Sequence, residues 1–478
     1  MDLKIRLVLF ASHFYFSVGF PIQVNTEQSY EGSKTRLYEG DITPKRHRNA
    51  IVCPFNWCFW PKSSNGLVVI PYVISSSYTH EEKALIVGAI QEYETLTCIH
   101  FVDRTTETDY IYISPKDGCW SYFGKVGGSQ VVSVRKGGCM RKGIIQHELN
   151  HALGMLHEQN RNDRDKYVVI AWQYISPGDF YHFKPTRANN LGLKYDYSSV
   201  MHYHRFAFSN TSGKATITPF PDSTVPIGQR FGLSNLDVAK INKLYECGKI
   251  HSTLLSNLTG SFSSTIYRSS YPKNTSSVWL IRIPANKIFL QFNSLYIQSS
   301  SDCASNHILV YDGGSRRDTV FLNKLCRPVQ LPSVVSSGNM MLVELVSDGT
   351  TLPKFKASYS FVQCGKTFTA MNGKFESPLY PSHYPPLTDC AWIMIAPEGS
   401  KISLTILSLL LEDSFQCQHD YLVIYDGGTT TARSEGKYCA NDLVPGFISS
   451  GNSVLVQFHS DYFLQYPGFQ AEYSFISS

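Results

Sequence analysis

Residues 144–167, IIQHELNHALGMLHEQNRNDRDKY, carry histidines at 147, 151 and 157, and that spacing constrains the local fold more tightly than any other feature of the chain. Residues 141–153 carry helix formers and no proline, so His147 and His151, at i and i+4, project from one helical face about one turn apart. Two imidazoles so placed can share one tetrahedral zinc ion. Glu148, directly after the first, lies near the water of a three-ligand site, where it can act as general base. Gly154 can adopt the left-handed conformation that ends a helix and reverses the chain, which returns His157 as a third ligand. An HExxH pair alone can sit idle on a helix surface. The added glycine and third histidine at fixed offsets make the metal reading much the stronger.

Composition sets the outer bounds. The 478 residues are 43% hydrophobic and 17% charged, which describes a globular chain of about three domains. A net charge of +5 is small for this length, so nucleic acid is not an expected partner. Residues 1–19 read as a secretory signal peptide: Lys4 and Arg6 precede an apolar stretch from Leu7 to Phe16, and the small Ser17 and Gly19 follow. That stretch is too short to span a bilayer and no later segment approaches transmembrane length, so a secreted, extracellular protein with no membrane span is expected. Its 12 cysteines, an even number, suit an oxidising compartment. Asn210, Asn257 and Asn274 each open a glycosylation triplet.

Two kinds of unit follow one another. In residues 49–248, GLVVIPYVIS (66–75) and DYIYISP (109–115) read as strands, and the intervening segment opens with Thr79 and Glu82 in capping-box spacing before apolar residues at helical intervals. That is an α+β domain. Residues 249–362 and 364–478 repeat one another: YPKNTSSVWLIRIP from Tyr271 answers to YPPLTDCAWIMIAP from Tyr384, and LVYDGG ending at Gly314 to VIYDGG ending at Gly428. Short alternating runs broken by Gly, Pro, Asn and Asp predict a β-sandwich for each copy.

HELNHALGMLHEQNRNDRD, together with the segment SVMHY at 199–203, closely resembles the astacin family of zinc endopeptidases, over residues 36–248. The resemblance implies zinc on His147, His151 and His157, proton handling by Glu148, a methionine turn at Met201 beneath the metal, and Tyr203 as an additional ligand that swings away to stabilise the oxyanion. It also implies a propeptide at residues 20–48, cut after Arg48 by a trypsin-like protease, with the new α-ammonium of Asn49 pairing with Glu158. The residues alone leave open a solvated Glu158 bridging Arg161 or Arg164. RLYEGDI at 36–42 is similar to the family's FxGD propeptide motif, which implies that Asp41 binds zinc in the zymogen. The pairings implied are Cys98–Cys247 and Cys119–Cys139, with Cys53–Cys58 as a small extra loop of the hatching-enzyme type.

The repeat resembles the CUB domain, which implies bridges Cys364–Cys390 and Cys417–Cys439 in the second copy and Cys303–Cys326 alone in the first. Calcium-binding CUB domains cluster three acids, matched in the second copy by Glu412, Asp420 and Asp461; the first has Gln298, Asn306 and Asp348, so no calcium is expected there. The whole is read as a secreted zinc endopeptidase made as a zymogen, stored in secretory granules before release. Its expected substrates are egg-envelope glycoproteins, on which the CUB pair holds it during hatching. Tolloid-like processing of matrix or growth-factor precursors is the alternative among enzymes, and an inactive CUB-based adhesion protein the alternative from another class. The intact set of three histidines with Glu148 and Tyr203 argues against the last.

Overall fold

The computed structural model describes residues 37–43, 58–186, 189–248, 250–264, 275–298, 302–327, 330–349, 351 and 353–477. The signal peptide, most of the propeptide, Arg48, Asn49, Cys53 and the sequon Asn274 lie outside the described residues.

The first unit is built on a six-stranded sheet. Its strands are β1 (Ile42–Thr43), β2 (Val68–Ile74), β3 (Ile99–Asp103), β4 (Tyr110–Ser114), β5 (Cys119–Tyr122) and β6 (Ser129–Val134), ordered β1-β5-β6-β4-β2-β3. Neighbours among β2, β3, β4 and β6 run parallel, β5 runs antiparallel to β6, and β1 runs parallel to β5 at the edge. Helix α1 (His80–Leu96) starts on a complete capping box between Thr79 and Glu82. Its Ile86, Ala89, Ile90, Tyr93 and Leu96 are buried in the core that β2, β3 and β4 share, each large side chain contributing on the order of 1.5–3 kcal/mol. Helix α2 (Lys142–Ala152) packs on α1, β5 and β6, and α3 (Asn235–Leu244) closes the unit. Disulfides tie Cys98, at the start of β3, to Cys247, just past α3, and Cys119 of β5 to Cys139, just before α2. Cys58 is also disulfide-bonded.

Each repeat copy is a sandwich of a five-stranded and a four-stranded sheet. The strands Thr275–Arg282 and Thr388–Ile395 occupy equivalent places, each pairing parallel with the first strand of its copy and antiparallel with a long later strand. Disulfides join Cys303 to Cys326, Cys364 to Cys390 and Cys417 to Cys439, while buried Ser277 lies where the second copy has Cys390. Asn210 and Asn257 are exposed.

The copies are not freely strung modules. Successive residues of a strand point to opposite faces: Trp279 and Ile281 fill the first sandwich, whereas Val278 and Leu280 join the core of the first unit. In the second copy Trp392 and Met394 point inward, and Ala391 and Ile393 pack with Phe289 and Val335 of the first. The unbroken apolar runs VWLI and AWIMIA carried this signal, since a sandwich strand with one wet face alternates.

Candidate active site

α2 delivers His147, Glu148 and His151, all buried. The helix stops at Leu153, and Gly154 follows with φ +89°, a conformation costly for any residue with a Cβ. The chain then turns and brings His157 back. The Nε2 atom of His147 lies 3.2 Å from those of both His151 and His157. Asp41, from the segment preceding β1, completes the cluster: its Oδ2 is 3.0 Å from His147 Nε2 and 3.2 Å from His157 Nε2, and its Oδ1 is 3.3 Å from His151 Nε2.

Every ring uses its other nitrogen on an acceptor. His147 Nδ1 donates to the Val200 carbonyl at 2.8 Å, His151 Nδ1 to the Met155 carbonyl at 2.8 Å, and His157 Nδ1 to the Glu39 carboxylate at 2.7 Å. Those three bonds fix a proton on Nδ1 and, wherever the ring is neutral, leave Nε2 as a lone pair aimed at the others and at Asp41. Acceptors facing acceptors at these distances repel unless a cation stands among them. Burial depresses the His147 pKa to about 3. Burial also opposes charge on His157, yet Asp41 and Glu39 raise it to about 9. Burial would likewise raise the Asp41 carboxyl, but the facing imidazoles hold it well below the ordinary carboxylate range. The site therefore calls for one buried positive charge, and three imidazoles plus a carboxylate at tetrahedral number are a zinc donor set.

The floor is a tight turn. Ser199 Oγ donates to Asp237 Oδ1 at 2.5 Å, Val200 N to Asp237 Oδ2 at 2.8 Å, and Met201, buried, returns its carbonyl to the Glu158 amide at 3.1 Å. Asp237 is the third residue of the capping box that Ser234 opens on α3. Burial, with Asp196 nearby, raises its pKa to about 6. Tyr203 is buried, its ring 4.6 Å from that of His157, and its hydroxyl donates to the Glu39 carbonyl. Glu158 is held by Arg161 at 3.1 Å and by Lys240, and it accepts from the Asp196 amide at 2.8 Å; Arg164 instead serves the carbonyls of Gln159 and Phe183. Asn150 turns away from the histidines and accepts from Tyr93 Oη at 2.8 Å.

Residues 57–246 match the family model of the astacin peptidases, and residues 247–359 and 364–473 match that of the CUB domain. Embryonic protein UVS.2 of Xenopus laevis is 46% identical over 452 residues, 94% of this chain and 87% of that protein. The chain belongs to the astacin family. This astacin is a metalloendopeptidase with two CUB domains; the family implies zinc, and the three-histidine centre with Asp41 is a cluster that could hold it. The astacin-like metalloendopeptidase of Gallus gallus is 47% identical over 413 residues, 78% of this chain and 100% of that one. Among solved structures, High choriolytic enzyme 1 of Oryzias latipes, described as a hatching enzyme zinc-protease, is 55% identical and covers 42% of this chain and 100% of its own, with a TM-score of 0.41. Among the described residues no helix of this astacin is long and apolar enough to cross a membrane.

Two residues of the site escaped the sequence. Glu39 lies inside the RLYEGDI motif but gives no sign of bonding His157, 118 positions away. Asp237 is readable as part of a helix start, SNLD, but not as the support of the methionine turn.

In the second CUB domain Glu412 and Asp461 converge with His419. Asp420, buried, accepts from the Asp461 amide at 2.7 Å and from Tyr384 Oη at 2.5 Å. In the first, the Asn306 amide donates to the Gln298 carbonyl at 3.0 Å, Asp348 Oδ1 at 3.2 Å and Thr351 Oγ1 at 3.3 Å. A neutral donor there bridges the oxygens that a cation would gather.

Proposed function

We propose that this astacin is a secreted hatching protease held latent by its own leader, with egg-envelope glycoproteins as substrate. The single observation behind latency is Asp41: it reaches all three histidines at 3.0–3.3 Å from a segment that lies before the expected cut at Arg48. The same segment occupies the edge of β5 as a parallel strand, where Asp41 O accepts from Ser121 N at 3.0 Å, and so covers a sheet edge that an extended substrate could use. After cleavage by a trypsin-like protease, the α-ammonium of Asn49 takes a place on Glu158 beside Arg161 and Lys240.

Zinc, when bound by His147, His151 and His157, supplies Lewis acidity toward the scissile carbonyl and lowers the pKa of the attacking water. Glu148 takes the water's proton and returns it to the leaving amine. Tyr203, released from the Glu39 carbonyl, turns its hydroxyl to the developing oxyanion.

The substrate reading rests on the 54% sequence identity to High choriolytic enzyme 1 over 211 residues and on the match to Embryonic protein UVS.2 along 94% of this chain. It is tested by incubating the activated full chain with isolated egg envelope and identifying released peptides by mass. Soluble fragments are expected, and none from the Glu148→Gln chain. An intact envelope in a preparation that hydrolyses short peptides would overturn the substrate and spare the chemistry.

Calcium belongs to the second CUB domain alone in this reading, at Glu412, Asp420 and Asp461. Calcium at a hundredfold excess over its Kd should raise stability by about 2.7 kcal/mol, seen as a higher unfolding temperature by calorimetry. Asp420→Asn should abolish that rise. A rise that persists in the variant would remove these acids from the role.

A further inference from the structure

Helix α1 buries two faces, and only one of them meets its own sheet. On the other, Glu92 is 2% exposed and Thr95 1%. A buried carboxylate is strongly unfavourable unless ionic partners accompany it. Glu92 has two: Lys142 of α2 at 2.5 Å, and Arg282, which comes from the first CUB domain. Around that boundary Thr95 Oγ1 donates to the Gly314 carbonyl at 3.0 Å and Ser252 Oγ to the Leu96 carbonyl at 2.7 Å, while Val278, Leu280 and Leu342 share a core with Ile86 and Tyr93.

The guanidinium closes a ring under the zinc helix. Gln146, the residue before His147, donates from Nε2 to Glu92 Oε2 and to the Ala89 carbonyl, both at 3.2 Å, and its Oε1 accepts from Leu233 N at 2.9 Å. Arg282 bridges the same two elements, one fork nitrogen on Glu92 and the other on the Leu233 carbonyl at 2.6 Å. Gly232 has φ +143°, and a Cβ there would stand 2.4 Å from Arg282 Nη1, so the backbone is shaped around the guanidinium. Both ends of the ring lead to one ligand. Gln146 is bonded in sequence to His147, and Leu233 precedes Ser234, whose amide donates to the same Asp237 oxygen as the amide of Val200, the residue whose carbonyl accepts from His147 Nδ1.

We propose that Arg282 is a positioning residue of the peptidase: the first CUB domain reaches beneath the zinc helix and fixes Gln146 and Leu233, and through them His147 and Glu148. The domain is thereby part of the catalytic unit as well as an anchor. Arg is suited to this because its planar fork serves a carboxylate and a carbonyl at once.

The test uses the full chain, activated and checked for propeptide removal by mass, in three forms: Arg282→Ala, Arg282→Ala with Glu92→Gln, and Arg317→Ala. The double variant removes the buried carboxylate that the single one leaves with Lys142 alone, so that a loss of folding can be told apart from a loss of positioning. The third removes an exposed ion pair to Glu94 at the same boundary. Folded Arg282→Ala forms should show kcat on a short peptide lowered about tenfold at unchanged KM, and a zinc dissociation constant, measured by chelator competition, weakened about tenfold. Arg317→Ala should match the wild type. The proposal is overturned if the double variant keeps both kcat and zinc affinity within about threefold of wild type, or if Arg317→Ala reproduces the loss.

Discussion

Glu148→Gln is expected to keep zinc and lose peptidase activity by about 10²–10⁴-fold. The glutamine preserves the size of the buried side chain on α2, so the adjacent ligands His147 and His151 keep their places. What disappears is the ability to accept a proton, because an amide oxygen is far less basic than a carboxylate. Zinc content by metal analysis and kcat/KM on a peptide are measured together. A variant that retains zinc and turns over near the wild-type rate would exclude Glu148 as the base.

Asp41→Ala is expected to produce activity in a chain that cannot be cut. The comparison is made in an Arg48→Ala background, where the leader stays attached. Asp41 supplies the charged contact that reaches all three histidines, and losing one charge-assisted bond of that kind shifts the open fraction by about 10- to 100-fold. Some latency should persist, because Glu39 still holds His157 and Tyr203. Peptide hydrolysis by the two uncut chains gives the answer; equal and negligible rates would mean that other leader contacts suffice.

What could be read from the sequence depended on how local the determinant was. His147, Glu148, His151 and His157 lie within eleven consecutive positions, so helical periodicity and one glycine specify their geometry. The capping box at Thr79 and the strands at 68–74 and 110–114 were readable for the same reason. Glu39 and Asp237 act across 118 and 37 positions, and no periodicity links them to their partners. Glu92 misleads in the opposite direction. A glutamate within a helix reads as solvated, and only the arrival of a second domain makes it a buried charge. Reading the CUB pair as a hold on the substrate says nothing of this contact, although the unbroken apolar run at Val278–Ile281 fits a strand covered on both faces.

The leader's grip has a kinetic consequence. In the proposed zymogen, residues 37–43 act as a tethered ligand while the chain is whole, present at an effective concentration of about millimolar order for a short linker. A cut after Arg48 would by itself remove none of the contacts that the intact chain makes, from Asp41 on the histidines to Ile42 beside Ser121. Only the leader's concentration changes, from a fixed local value to that of the surrounding fluid. Scission and unblocking are then separate events, the second governed by dilution. In a crowded store the severed leader would rebind almost as fast as it left. Discharge into a large volume would complete what the activating protease began, so the onset of activity would follow release more closely than cleavage.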